Sequence, residues 1–318
     1  MEGQGAVAQE LVALRRALHQ IPELGFEEAL TSARVLQHVG AHARWRPIAG
    51  TGLVADLGPE DASWTLLLRA DMDALPITEE TGRPWTSQHP GCMHACGHDA
   101  HMAALSVAAR LLSAAPPSSL RLRVLFQPAE EGAGGALRCI EEGVLDGVDA
   151  AFGLHVWNEL PVGTVAVTPR GIMAGVVEFS CEVVGRGGHG AMPHQTADPI
   201  VAGAQLVMAL QTVVSRRMAP TSPAVVTVGA FQGGDAFNVI PEKVTLRGTV
   251  RTFSREDQDA IEGHIRAVAA GIAAATDTDI TVHWRLDCVP TVNDPAVAGL
   301  VARAAQQVPA IQTLLTDY

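Results

Sequence analysis

Apolar residues in the first half of the chain alternate between a helical period and short uninterrupted runs. Leu11, Leu14 and Leu18 recur three or four positions apart, which predicts an amphipathic helix that ends near Pro22. A second helix is expected over residues 27–39. The elements that follow are predicted in the order strand, strand, helix, strand, helix and strand, at residues 52–57, 64–70, 99–115, 121–127, 134–145 and 151–156.

This alternation of strands and helices is typical of an α/β layer with a largely parallel sheet and helices on its faces. Asp99 is the expected N-cap of the helix at 99–115, and the prolines at 116–117 are expected to end it. In such sheets ligands bind at the carboxyl ends of the strands. Candidate functional residues are therefore expected at those ends.

The pattern changes near residue 173. Strand and helix segments then follow in the order β-α-β-β-α-β, at residues 176–185, 198–217, 224–231, 244–253, 255–275 and 279–284. This order predicts a ferredoxin-like α+β domain. We therefore expect a first domain at 1–173, an inserted domain at 174–287, and a return of residues 288–318 to the first domain.

Composition limits the class of protein. A chain of 318 residues, 47% of them hydrophobic, is long enough for two domains with separate cores. The formal net charge of -12 disfavours binding to nucleic acids and to anionic membrane surfaces. From the sequence we expect neither a signal peptide nor a membrane span, and its five scattered cysteines do not suggest a disulfide framework. A cytoplasmic protein is expected.

The segment GCMHACGHDAHMA, at 91–103, contains the densest group of candidate metal ligands, namely Cys92, His94, Cys96, His98 and His101. Thiolate and imidazole are preferred ligands of zinc and its neighbours in the first transition row. Any one of these side chains alone would be read as a core or capping residue. Five of them within ten positions favour a metal site, with Cys96 and His98 on one side of an extended loop.

The segment FQPAEEGAGGA, at 126–136, places a pair of carboxylates directly after a predicted strand. Because adjacent side chains point in different directions, one of Glu130 and Glu131 can bind a metal while the other acts as a base. An acidic pair at a helix N-terminus can also serve only to interact with the helix dipole. The position after a strand of the same sheet favours a functional role.

Three further residues lie at predicted strand ends. His155, in GLHV, would alone be a core histidine, but with Cys96, His98 and Glu131 it supplies a fourth ligand from a separate strand. Asp71 and Asp73, in RADMDALP, are expected to orient the ligand imidazoles rather than to bind metal directly.

These motifs, together with RALHQIPELGFEE, GRGGHGAMPH and FNVIPEKVTLRGTVRTF, resemble one enzyme family. It is the family of metal-dependent amidohydrolases that includes hippurate hydrolase, N-acyl-amino-acid amidohydrolases and plant auxin-conjugate hydrolases. The family lies within the wider superfamily of aminoacylase, acetylornithine deacetylase and glutamate carboxypeptidase. The resemblance runs from about residue 10 to 300, with the motifs in the expected order.

The resemblance implies a metallopeptidase-like catalytic domain and a ferredoxin-like lid that also forms a homodimer. It implies two divalent metal ions, zinc, manganese, cobalt or nickel, held by Cys96, His98, Glu131 and His155. The implied reaction is cleavage of the amide bond of an N-acyl amino acid by a metal-activated water, with Glu130 as the general base.

The resemblance also assigns three residues of the lid. His189 matches a histidine that reaches into the partner subunit's site and stabilises the oxyanion. Asn238 and Arg251 match positions that hold the carbonyl or carboxylate of the substrate. Alternatively, Asn238 is only a turn residue and Arg251 is only a residue on the surface of a strand.

The end of the chain departs from the family pattern. Relatives continue with a segment that contains a fifth metal-binding histidine, whereas this sequence has no histidine after His283 and ends at LLTDY. We therefore expect a truncated or naturally shortened member in which the second metal is weakly held. The alternative function is a catalytically silent homodimeric metal-binding protein. A thiol redox protein built on Cys92 and Cys96 is disfavoured, because their spacing differs from C-x-x-C.

Overall fold

The computed structural model describes residues 2–40 and 43–316, and within them the chain forms two compact units that divide between Glu159 and Leu160. Residue 1 and residues 317–318 lie outside the described residues. The expectations about the two ends of the chain rest partly on them. Among the described helices, none combines the length and the hydropathy that crossing a membrane requires.

The first unit is a five-stranded sheet with four helices. Its elements in chain order are α1 (Glu2–His19), α2 (Ala29–Val39), β1 (Arg46–Ile48), β2 (Gly52–Leu57), β3 (Thr65–Asp71), α3 (His98–Ala114), β4 (Arg121–Gln127), α4 (Gly135–Glu141) and β5 (Ala150–Gly153). The strand order across the sheet is β1-β2-β4-β3-β5.

The sheet is mixed, which corrects the expectation of a largely parallel one. Only β4, β3 and β5 are mutually parallel, whereas β2 runs antiparallel to both β1 and β4. The strand β1 was not predicted, because its three residues contain a single buried side chain, Ile48, and so show no periodicity. Turn residues 49–51 join β1 to β2 as a hairpin.

Alternation along the strands produces a hydrophobic core on each face of this sheet. On one face Val124 and Phe126 of β4 pack with buried residues of α1, α2 and α3. On the other face Leu125 packs with Cys139 of α4 and with Val144. The helices therefore cover both faces of the sheet at β4, as the sequence predicts.

Helix boundaries differ from the prediction in α2, which begins at Ala29 rather than at residue 27, and in α3 and α4. The helix α4 ends at Glu141, four residues before the predicted end, and turns follow it. Asp99 is not the N-cap of α3, since Gly97 holds that position and Asp99 lies within the first turn. The Asp99 carboxylate instead accepts hydrogen bonds from the side chains of His19 and Arg15 on α1.

The second unit contains a four-stranded antiparallel sheet with two helices. Its principal elements are β8 (Gly175–Val184), α5 (Pro199–Thr212), β10 (Ala224–Gln232), β12 (Lys243–Thr252), α6 (Arg255–Thr276) and β13 (Asp279–Cys288). A five-residue π-helical turn, Val213–Arg217, extends α5. The sheet order β10-β12-β8-β13 is the ferredoxin-like arrangement that the β-α-β-β-α-β sequence pattern predicted.

Helices α5 and α6 cover one face of this sheet. Leu206 and Leu210 of α5 and Ile261 and Ile265 of α6 are fully buried in a cluster with strand residues such as Phe179. Asp198 and Ser254 cap these helices with their side-chain oxygens, which fixes where each helix begins.

Short strands before and after the sheet pair with each other. They are β6 (Thr164–Ala166), β7 (Gly171–Met173), β14 (Thr291–Val292) and β15 (Thr313–Leu315), while α7 (Pro295–Gln306) lies between β14 and β15. The strand β7 pairs with β14, and β6 pairs with β15. Two further short strands pair with each other, namely β9 (Gly188–His189), which follows β8 in the chain, and β11 (Val239–Ile240), which precedes β12. The domain boundaries at 173 and 287 stay a prediction.

Candidate metal centre

Three neighbouring strands of the first unit bring the predicted site residues to one edge of the sheet. Because β4, β3 and β5 are adjacent and parallel, their carboxyl ends lie side by side. Asp71 ends β3, the carboxylates of Glu130 and Glu131 follow β4, and His155 follows β5. The loop before α3 adds Cys96, and the first residue of α3 adds His98, at the same edge, since their ligand atoms lie close to those of His155.

A glycine between Cys96 and His98 allows the loop to join α3. Gly97 has a φ of +88°, a backbone conformation that side-chain-bearing residues rarely adopt. A Cβ atom at this position would lie 2.5 Å from Cγ2 of Val156. The glycine therefore allows the loop that carries Cys96 and the segment that carries His155 to approach closely.

His98 lies at the centre of the candidate site. The side chain is 1% exposed, and its Nδ1–H donates a hydrogen bond to the backbone carbonyl of Asp73 at 2.8 Å. Its Nε2 has no hydrogen-bond partner. That atom lies 3.7 Å from Asp71 Oδ2, and its distances to the glutamates are 3.7 Å for Glu131 Oε1 and 4.0 Å for Glu130 Oε2.

Cys96 and His155 complete the group. The Sγ of Cys96 lies 3.3 Å from Nε2 of His155. The other ring nitrogen of His155, Nδ1, donates to the backbone carbonyl of Val156 at 2.6 Å, so Nε2 is the nitrogen whose lone pair faces Cys96. Within the described residues the ligand atoms of Cys96, His98 and His155 all lie within 4.8 Å of one another, as do those of His98, Glu130 and Glu131.

The electrostatics of this group suit a divalent cation. Burial alone would lower the pKa of His98, but the hydrogen bond to Asp73 and the proximity of Cys96 and of the Asp71 carboxylate raise that pKa to about 11. The surroundings therefore stabilise positive charge beside Nε2, which is itself a buried nitrogen without a partner. Thiol, imidazole and carboxylate groups around such an atom fit a transition-metal ion.

The loop that carries the two glutamates is held by two other carboxylates. Oδ2 of Asp73 accepts a hydrogen bond from the backbone N–H of Glu131 at 2.9 Å. Oε1 of Glu28 accepts one from the backbone N–H of Ala129 at 2.8 Å. Burial, with the negative charges of Glu131 and Asp71, raises the pKa of Glu130 above its usual value.

Asp71 and Asp73 differ in what they contact. Asp71 accepts hydrogen bonds from Arg69 at 2.7 Å and from Nδ1 of His101 at 2.6 Å. Asp73 contacts His98 through its backbone carbonyl and supports Glu131 through its carboxylate. Both carboxylates are buried, and neighbouring positive groups lower the pKa of Asp71 although burial alone would raise it.

The sequence assigns no role to Glu28, and it gives His101 only as one member of the cluster of candidate metal ligands at 91–103. Glu28 is fully buried, and the only local signal for it is the acidic pair Glu27-Glu28 before α2. His101 is 1% exposed and follows His98 by three positions, so both project from the first turn of α3. Among the described residues, the remaining candidates of the cluster, Cys92 and His94, belong to none of the groups of potential metal-ligand atoms.

The second unit holds the three remaining candidates. His189 of β9 lies opposite Val239 of β11, and the neighbouring Gly190 donates its N–H to the carbonyl of Asn238 at 2.8 Å, so His189 and Asn238 lie close together. Arg251 lies on β12, where its guanidinium donates to the Thr249 hydroxyl and to the Val250 carbonyl.

An α/β sheet that gathers thiol, imidazole and carboxylate groups at one strand edge defines a candidate metal centre of the hydrolase type. Comparison with known proteins identifies the family of the chain. Residues 67–316 match the model of peptidase family M20/M25/M40, and the chain therefore belongs to this family.

Curated relatives extend the match to nearly the whole chain. The chain is 45% identical over 303 residues to N-acetyl-L-cysteine deacetylase of Bacillus subtilis (strain 168), an alignment that covers 94% of this chain and 73% of that protein. It is 37% identical over 303 residues to hippurate hydrolase of Campylobacter jejuni, covering 94% of this chain and 79% of that protein. The predicted family and the prediction of a hydrolase acting on linear amides are confirmed.

A solved structure supports the fold. A dinuclear metal-binding peptidase of family M20 from Bacillus subtilis superposes with a TM-score of 0.86 at 35% identity, covering 98% of this chain and 83% of that one. The predicted α/β metallopeptidase-like fold class is confirmed.

Proposed function

We propose that the protein hydrolyses the amide bond of N-acyl amino acids at a centre of two divalent metal ions. The observation that carries this proposal is the buried, unpartnered Nε2 of His98, which faces the carboxylates of Asp71, Glu130 and Glu131. The relatives named N-acetyl-L-cysteine deacetylase and hippurate hydrolase support the substrate class. The dinuclear description of the solved relative supports the number of ions.

Four side chains would hold the metal ions, namely Cys96, His98, Glu131 and His155. In each of the two histidines Nδ1 is engaged with a backbone carbonyl, which leaves Nε2 as the ligand atom. When bound, divalent ions acidify water and polarise the carbonyl of an amide. Zinc, manganese, cobalt and nickel all suit a mixed sulfur, nitrogen and oxygen ligand set.

Glu130 would act as the general base. Its side chain is 41% exposed, so it can reach a substrate, whereas Glu131 is 24% exposed and its Oε1 lies nearer to His98 Nε2. The raised pKa of Glu130 suits a carboxylate that takes a proton from water at Oε and returns it to the leaving amine nitrogen. Glu28 and Asp73 would hold this loop so that the two glutamates keep separate roles.

The second unit would supply the substrate contacts. His189 would stabilise the oxyanion in a partner subunit, and Asn238 and Arg251 would hold the carbonyl or carboxylate of the substrate. These roles require a homodimer formed through the ferredoxin-like domain. The adjacency of His189 and Asn238 supports a shared role for those two residues. A cytoplasmic location is part of the proposal.

The substitution Glu130→Gln tests the proposal. It removes the base but keeps the size of the side chain, so hydrolysis of N-acetyl and N-benzoyl amino acids should fall by about 100-fold or more. Metal content, measured by elemental analysis after gel filtration, should not change. The exposed Glu141 of α4 offers a matched control, and Glu141→Gln should keep full activity. Full activity in Glu130→Gln would remove the base assignment, and an inactive wild-type chain would favour the catalytically silent alternative.

A further inference from the structure

His101 uses both of its ring nitrogens. Nε2 accepts a hydrogen bond from the backbone N–H of Val156 at 2.9 Å, and Nδ1 lies 2.6 Å from Oδ1 of Asp71. A backbone N–H can only donate, so Nε2 is the unprotonated nitrogen and Nδ1 carries the proton. The Nδ1–H therefore donates to the Asp71 carboxylate, and no lone pair of His101 remains for a metal ion.

Val156 connects His101 to a predicted metal ligand. Its N–H is bound by His101, and its carbonyl accepts the hydrogen bond from Nδ1 of His155 at 2.6 Å. The two bonds involve the same residue, so the position of the Val156 backbone sets the direction of the His155 ring. That direction points Nε2 of His155 toward Cys96.

The segment that carries His155 has little other support. His155 lies two positions beyond the end of β5, and residues 154–157 are all exposed. His101, in contrast, is 1% exposed on α3, and Asp71 is 1% exposed at the end of β3. Asp71 is fixed in turn by Arg69, which donates to its Oδ2 at 2.7 Å. A chain of hydrogen bonds through the buried Asp71 and His101 thus ends on an exposed loop.

We propose that His101 is a positioning residue that orients His155 for metal binding through the Val156 backbone. The proposal rests on the proposed function, because it assumes that His155 binds a metal ion. It assigns to His101 the role of acceptor for one peptide N–H, which is separate from its role as donor to Asp71. The two roles belong to different ring nitrogens and can be removed one at a time.

Two substitutions separate the two roles. In His101→Asn the amide nitrogen lies near the position of Nδ1, so the donor to Asp71 is kept and the acceptor for Val156 is lost. In His101→Gln the amide oxygen reaches the region of Nε2, so the acceptor is kept. Cobalt(II) is the probe, because its absorption reports both the thiolate of Cys96 and the geometry of the ligands. Each variant of the full chain, stripped of metal, is titrated with cobalt and its dissociation constant compared with that of the wild type.

We expect His101→Asn to bind cobalt about 10- to 100-fold more weakly, with an altered ligand-field spectrum. His101→Gln should recover most of the wild-type affinity and spectrum. The control His38→Asn, which alters a histidine paired with Glu10 on α1, should match the wild type. Equal affinities in wild type and His101→Asn, or equal losses in the asparagine and glutamine variants, would overturn the proposal.

A measurement on the unmodified protein covers the case in which the variants do not fold. Long-range 1H–15N spectra of the metal-free wild type, with His101 assigned, should show a proton on Nδ1 and none on Nε2. A proton on Nε2 would overturn the inference, whatever the activity. Absence of cobalt binding by the wild type would instead defeat the proposed function together with the inference, so the two failures are distinguishable.

Discussion

Oε1 of Glu28 accepts a hydrogen bond at 2.8 Å from the backbone N–H of Ala129, a residue 101 positions later in the chain. The other carboxylate oxygen of Glu28 accepts a hydrogen bond from the Thr51 hydroxyl. Both oxygens of a fully buried carboxylate are therefore satisfied, and the bond to Ala129 fixes the backbone directly before Glu130. Ala129 has a φ of +52°, so this backbone is also held in an uncommon conformation.

Glu28→Ala should lower both stability and turnover. The substitution leaves the buried N–H of Ala129 without an acceptor, which costs about 1–3 kcal/mol of unfolding free energy. Loss of this support should also reduce kcat more than it raises KM, because the base moves rather than a substrate contact. Glu28→Gln retains an acceptor oxygen, so its stability and its kcat should lie between those of the wild type and those of Glu28→Ala. A wild-type kcat in Glu28→Ala would show that Glu28 does not determine the position of Glu130.

Gly97→Ala should destabilise the protein for two reasons that a second substitution separates. The new Cβ would lie 2.5 Å from Cγ2 of Val156, and the φ of +88° is strained for alanine. Val156→Ala removes the contacting methyl group but leaves the backbone strain. In a double-mutant cycle measured by urea unfolding, the double variant should therefore lose less unfolding free energy than the two single variants lose in sum. Additive effects would show that strain alone accounts for the loss.

His19 should contribute stability that depends on pH. The hydrogen bond to Asp99 raises the pKa of His19 above 6.5, against the opposing effect of burial. Because the pKa is higher in the folded state, the stabilisation is complete below the unfolded pKa and is lost as the pH rises through the folded one.

The variant His19→Gln should therefore lose more unfolding free energy at about pH 6 than at about pH 9, measured by urea unfolding across that range. His38→Asn provides a comparison, since burial lowers rather than raises the pKa of His38. A loss in His19→Gln that does not vary with pH would contradict the assignment.

Metal binding should stabilise the first unit. A divalent ion at 100 times its dissociation constant adds about 2.7 kcal/mol to the folded state. Thermal unfolding of the wild type should therefore occur at a lower temperature after a chelator is added. In Glu131→Ala, which lacks a proposed ligand, the chelator should have a smaller effect. An equal shift in both proteins would exclude Glu131 as a ligand.

Strong local patterns explain what the sequence predicts of the fold. The ferredoxin-like order follows from long strands such as β8, where buried and half-buried residues alternate, and from helices with clear caps at Asp198 and Ser254. Strand direction has no such local signal. The antiparallel β1–β2 hairpin was missed because a strand of three residues with a single buried side chain shows no periodicity.

The candidate site divides in the same way. Cys96, His98, Glu130, Glu131 and His155 were predicted as site residues because their chemistry is dense in sequence or falls at predicted strand ends, and the structure brings their potential ligand atoms into two groups. Glu28 was not found, because a carboxylate that binds a peptide N–H 101 residues away leaves no spacing to recognise. His101 was seen in the cluster, but only the structure shows that both of its nitrogens are already engaged.

The first and last strands of the ferredoxin-like sheet, β8 and β13, are neighbours, and Val176 lies opposite Cys288 in their register. The chain therefore enters and leaves this sheet at one place. A segment with adjoining ends can be transferred between genes as a single block, and a few residues can close the gap that it leaves. The topology of these two strands thus suits the predicted insertion of this sheet, with its two helices, into another domain.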